Sequence, residues 1–177
     1  MKTLALLLLA AALAPIAYAQ QMPMEHHDAS ATRPATPSTS LVLSIAGKAT
    51  TLTLADLQAM PQKTLVVKNG HTQAQETYTG VALGELLAKH GFAFENATAK
   101  KVYHSYIRAE GVDGYWVLYS ASELEDILRE TGAIVALTLD GKPLASDEGQ
   151  FKIVVAGERR PARWVRNLKS LTVVTVE

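Results

Sequence analysis

The chain has no cysteine among its 177 residues. That absence rules out disulfides, lipid attachment at a cleavage-site cysteine, and any thiolate metal ligand, so stability must come from the core alone. Excess charge is lacking too, with 17 basic against 17 acidic residues. Such balance gives no general attraction to nucleic acid or to anionic membranes, so any anion binding must be local. Past the first nineteen residues no run is apolar enough to span a membrane. Gly-x-Ser-x-Gly, a phosphate loop and His-Glu-x-x-His are all missing, which removes the usual hydrolase, nucleotide and zinc-protease readings.

What is present begins with an export pattern. Lys2, an apolar stretch from Leu4 to Ile16, and Ala17-Tyr18-Ala19 form a secretory signal with cleavage expected after Ala19. The mature chain is then expected to be periplasmic or secreted, with 16 basic and 17 acidic residues. Residues 20–40, rich in Pro, Ala, Ser and Thr, read as a disordered linker. Within it, Met22, Met24, His26 and His27 place soft and imidazole donors close together, a pattern able to capture copper or zinc. A linker that merely contains them is the plainer reading.

Residues 41–177 are long enough for one domain. Leu41–Ile45, Gly47-Lys48 and Thr50–Thr53 read as a hairpin. Thr53 can cap a helix from Leu54 to Met60, stopped by Pro61. Thr64–Val67 and Thr72–Thr79 read as strands joined at Asn69-Gly70. Leu83, Leu86 and Leu87 predict a helix over Val81–His90, closed by Gly91. Alternation over Lys101–Arg108 predicts a strand that places His104 and Arg108 on one face. Tyr115–Tyr119 is another strand, and Ser120 with Glu123 has capping-box spacing for a helix to about Glu130. Ala133–Leu139 reads as a buried strand, turned at Asp140-Gly141. Strands outnumber helices without regular alternation. The expectation is an α+β domain with a mixed, largely antiparallel sheet and short helices.

The C-terminal stretch carries the strongest signal. Phe151–Val155 and Leu171–Val176 read as strands enclosing Arg159, Arg160, Arg163 and Arg166 around Trp164. Pro161 suits the start of a helical turn, on which Arg159, Arg163 and Arg166 would share a face. Guanidinium forks grip phosphate or carboxylate in bidentate fashion, so that face could bind an oxyanion. Against this stands a solvated face paired with Glu158, Asp147 or Glu148.

The order of these parts resembles the molybdopterin-binding domain of the sulfite oxidase family. The resemblance rests on Thr79-Gly80-Val81-Ala82-Leu83-Gly84-Glu85-Leu86-Leu87, on Gly111-Val112-Asp113-Gly114-Tyr115, on Asp140-Gly141-Lys142-Pro143-Leu144, and on the closing Arg/Trp/Val segment. It covers residues 41–177 and implies that family's fold. It also implies molybdopterin as a candidate cofactor, with molybdenum held by one protein cysteine.

Three departures bear on that chemistry. The stretch expected to carry the cysteine is Val66-Val67-Lys68-Asn69-Gly70-His71, in which His71 is the sole candidate donor. The signal has no Arg-Arg pair, whereas exported members loaded in the cytoplasm leave folded under a twin-arginine signal. Lys152 stands where the family tends to have an arginine and can act only as a point charge.

These readings combine into one expectation: an exported, non-catalytic domain of this type that binds a small anionic ligand or a periplasmic protein partner. The candidate ligand-binding residues are His104, Arg108, Lys152, Arg159, Arg163 and Arg166; molybdenum is disfavoured. One alternative is a molybdopterin-dependent oxidoreductase whose pterin site is metal-free or lacks cysteine ligation. Another is copper or zinc capture through the Met/His linker.

Overall fold

The computed structural model describes residues 36–70, 72–92, 99–124, 132–158 and 161–176. Leu41 and Leu43, alternating with Val42 and Ser44, give β1 (Ser40–Ile45) one apolar face. β1 turns at Ala46-Gly47, both at positive φ, into β2 (Lys48–Thr53). The Thr53 hydroxyl accepts from the Asp56 amide while the Asp56 carboxylate accepts from the Thr53 amide, a reciprocal cap opening α1 (Leu54–Gln58). These hydrogen bonds hold the Asp56 carboxyl below its ordinary range.

β3 (Lys63–Lys68) and β4 (Gln75–Ala82) are antiparallel. Their connection is wider than the two-residue turn expected from Asn69-Gly70. Asn69 accepts from the Gln73 amide and donates to the Ala74 carbonyl, so β4 begins at Gln75 rather than Thr72. β4 also runs through Gly80 to Ala82, because Val81 and Ala82 pair with Val135 and Ile134 of β7 (Ala133–Leu139). The helix expected from Val81 is therefore shorter, α2 (Leu83–Lys89), with Leu83, Leu86 and Leu87 buried and Gly91 at φ 96° after its end. Gly80 is required where it stands: a Cβ there would lie 2.0 Å from the Val135 carbonyl oxygen.

The expected strand over Lys101–Arg108 is corrected by a short helix, α3 (Ala99–Tyr103), followed by β5 (Ser105–Gly111). The Ser105 hydroxyl donates to the Lys101 carbonyl at 2.6 Å and closes the helix end. β6 (Trp116–Ser120) leads into a 3-10 turn, Ala121–Leu124. There the Ser120 amide donates to Glu123, and the rest of the expected helix lies outside the described residues. Asp140-Gly141, both at positive φ, turns β7 into the short β8 (Lys142–Pro143). β9 (Lys152–Val155) and β10 (Leu168–Thr175) complete the chain.

Two mixed or antiparallel sheets result. One runs β2-β1-β10-β5-β6, with β1 and β10 parallel; the other runs β3-β4-β7-β8, with β9 on β7. The last strand is thus central, flanked by the first strand and β5. Leu41, Leu43, Ile107, Leu171 and Trp164 join Val81, Ile134, Ile153 and Leu86 in one core. Each such buried side chain contributes about 2 kcal/mol relative to exposure. Ahead of Leu41, Ser38 is buried and its amide donates to the Asn167 side chain at 2.7 Å. No helix among the described residues is long and apolar enough to cross a membrane.

Candidate functional site

Strand β9 delivers Lys152 into the protein rather than onto a ligand-facing edge. Its residue is 5% exposed, and its ammonium is bound to the Glu148 carboxylate. It also donates to the Tyr78 hydroxyl at 3.0 Å and sits 4.8 Å from the Tyr78 ring and 5.6 Å from the Trp164 ring. Those two rings meet edge to face at 6.0 Å. Tyr78 in turn donates to Glu76 at 2.9 Å. Burial, then the neighbouring Glu76, pushes the Tyr78 hydroxyl pKa well up, so the phenol stays protonated. A cleft of about 150 Å³ reaches these residues from Asn69 and Gly70. Among the described residues its walls carry Glu76, Glu148 and Lys152, one net negative charge.

Arg163 is likewise satisfied from within. It lies on a three-residue 3-10 turn, Pro161–Arg163, too short to present an arginine face. Its guanidinium donates to Glu123 at 2.6 Å, to Glu158 at 3.0 Å and to the Leu118 carbonyl at 3.4 Å. It stacks 4.8 Å from the Tyr119 ring, while the Tyr119 and Tyr115 hydroxyls donate to the carbonyls of Arg163 and Ala162. Burial draws the Arg163 pKa down, but Glu123 and Glu158 outweigh it and the net direction is up. Arg166 points elsewhere, exposed, 3.9 Å from Asp147. The expected shared face of Arg159, Arg163 and Arg166 is corrected accordingly, with Arg159 outside the described residues.

His104 and Arg108 do not share a strand face, contrary to expectation. His104 follows α3 ahead of the strand and lines a different cavity with Lys100 and Lys101. Arg108 lies on the outer face of β5, bound to Glu110 at 2.7 Å and stacked 5.3 Å from Trp116. Lys169 reaches Glu110 from β10 at 2.9 Å. Lys169 first and Arg108 second hold the Glu110 carboxyl below its ordinary range. Around this cluster Trp116 is 50% and Leu118 45% exposed, on an edge strand. Sequence reasoning passed over these two. The available signal was that Tyr115–Tyr119 is apolar at every position instead of at every second one.

Among the described residues no group of three or more His, Asp or Glu side chains could hold a metal. His26, His27 and His71 lie outside the described residues.

Comparison with known proteins adds three findings. The sequence model of the oxidoreductase molybdopterin-binding domain matches residues 32–177. Among solved structures, the sulfane dehydrogenase SoxCD from Paracoccus pantotrophus is similar in fold. Its TM-score is 0.57 at 19% identity, covering 76% of this chain and 37% of that one. No curated protein matches.

Proposed function

The chain belongs to the oxidoreductase molybdopterin-binding domain family, and we propose that it is a non-catalytic, exported member that docks a protein partner through the Arg108 face. The sulfite-oxidase-type fold is that of a cofactor domain. The residues present here do not fit the molybdenum form of that cofactor. No residue in the chain is a thiol. The cleft beside Asn69 and Gly70 presents Glu76 and Glu148, which repel an anionic dithiolene, and Glu148 already neutralises Lys152. One buried donor there, the Trp164 indole N–H, lacks an acceptor. A single neutral donor does not offset the one net negative charge on the described walls. Of the basic residues expected to read an anion, Arg108, Lys152 and Arg163 are already paired, with Glu110, with Glu148, and with Glu123 and Glu158 respectively.

The observation that carries the docking reading is the exposed Trp116 and Leu118 beside Arg108. Tryptophan and arginine anchor protein interfaces more than other residues, since they bury large area at small entropic cost. Lys169, Glu110 and Arg108 supply a polar rim. Export rests on the Lys2 to Ala19 pattern.

A photo-crosslinking amino acid at Leu118, in cells of the native host, should trap one predominant protein, and Trp116→Ser should abolish the adduct. A crosslink pattern indifferent to Trp116 overturns the docking reading. Stoichiometric molybdenum or pterin in the natively purified protein overturns the non-catalytic one.

A further inference from the structure

The sequence pointed to the arginines as the anion readers, and the structure pairs Arg108, Arg163 and Arg166 with carboxylates. A second set of basic groups lies elsewhere. A cavity of about 500 Å³ opens between the turn after β1, the segment following α2, α3 and the end of β10. Its apolar floor is Ile45, Phe92, Val173 and Val176, and its rim is Lys100, Lys101 and His104. A neighbouring hollow of about 270 Å³ shares Ile45 and adds Lys48, Lys89 and His90. Among the described residues no carboxylate lies within salt-bridge distance of these four lysines. Arg108, Lys152, Arg163, Arg166 and Lys169 all have such a partner.

We propose that this cavity binds an anionic amphiphile, a molecule with an acyl or aryl body and a carboxylate or phosphate head. The two halves of the lining ask for different chemistry. Ile45, Val173 and Val176 gain from contact with an apolar body, which removes area from water. Lys100 and Lys101, exposed and with no carboxylate among the described residues in salt-bridge distance, gain from a charged head through charge-assisted hydrogen bonds. A bare inorganic anion would leave the floor wet, and an uncharged oil would leave the rim unused. The volume falls within the range of about 300–1,000 Å³ typical of small-molecule sites.

The cavity is separate from the docking face. Thr172 of β10 pairs with Arg108 on the outer side, and the alternation of the strand turns Val173 to the inner side. One site can therefore fail its test while the other stands.

The full-length protein is titrated with dodecanoate below its micellar concentration, and binding is followed by calorimetry and by backbone amide shifts. Dodecanol, dodecyltrimethylammonium, inorganic phosphate and vesicles of anionic phospholipid serve as separate arms. Dodecanoate should bind saturably, about tenfold or more tighter than dodecanol, as one charge-assisted contact implies. Amide shifts should cluster at Ile45, Phe92, Val173 and Val176. Lys100→Glu with Lys101→Glu should remove the preference for dodecanoate over dodecanol, and Lys142→Glu on β8 should leave it intact. Equal binding of dodecanoate and dodecanol overturns the proposal. So do shifts centred elsewhere, or binding to vesicles and phosphate without binding to dodecanoate. The wild-type shift map decides the matter even if the double variant does not fold.

Discussion

Arg163 donates to Glu123 at 2.6 Å, joining the turn before β10 to the turn after β6. The same guanidinium reaches the Leu118 carbonyl and covers part of the open edge of β6. An arginine that looked like a ligand grip from its neighbours in sequence is therefore a tie between two segments and a guard on a sheet edge.

Replacing Arg163 with alanine should lower stability by about 1 kcal/mol, since the side chain is partly exposed and its contacts are shared with solvent. Lysine should restore little, because a point charge cannot serve Glu123 and Glu158 together. Chemical denaturation reads the loss. Titration with millimolar sulfate should show the same response in wild type and variant. Sulfate protection that depends on Arg163 would return it to the ligand-binding set.

Lys152→Met should cost about 3–5 kcal/mol, because it strands the Glu148 carboxylate against Tyr78 and Trp164. Adding Glu148→Gln should recover much of that loss, since the double variant leaves no unpaired buried charge. A double-mutant cycle in urea measures the coupling. Additive losses would show that the pair is held by solvent and not by each other.

Glu110 gives a pH signature. Its carboxyl pKa is lowered in the folded state by Lys169 and Arg108, so folding favours the ionised form. The stabilisation is fully present above the unfolded value of about 4.3 and is lost as pH falls through the depressed folded value. Thermal melts of wild type and Glu110→Gln should therefore differ at pH 7 and converge on acidification below about pH 4. A gap between them that is constant from neutral to acid pH contradicts the ion-pair assignment.

Gly80→Ala should destabilise the protein by more than about 3 kcal/mol or prevent folding. The added methyl would sit 2.0 Å from the Val135 carbonyl oxygen, in backbone that cannot move without breaking the β4–β7 ladder. Gly47→Ala, which has open space but positive φ, should cost only about 1 kcal/mol. Equal losses at the two positions would rule out close packing as the reason for Gly80.

Much of the fold was readable because its signals are local. The Thr53 cap, the Asp140-Gly141 turn, the leucine spacing of α2 and the apolar run of β7 each state their structure within a few residues. The misreadings fall where a distant partner decides. Val81 and Ala82 have helical neighbours but pair with β7, and the periodicity of Leu83–Leu87 cannot show that. Lys101–Tyr103 alternate like a strand, yet β5 starts only at Ser105, where pairing with Thr175 of β10 begins.

The candidate site divides in the same way. By itself the sequence determined the family resemblance, through the order of its turns and apolar runs, and it excluded thiolate ligation of a metal, since composition alone decides that. Which cations remain unpaired was decided only in three dimensions. Glu123 lies 40 residues from Arg163, and no spacing rule connects them. Lys100 and Lys101 became notable only when folding gathered them at one cavity with His104, with no carboxylate among the described residues within salt-bridge distance. Charge pairing depends on distances of a few ångströms between segments far apart in the chain. The tertiary structure pairs Arg108, Arg163 and Arg166 with carboxylates and gathers Lys100 and Lys101 at a cavity, and the lysine site is our proposal.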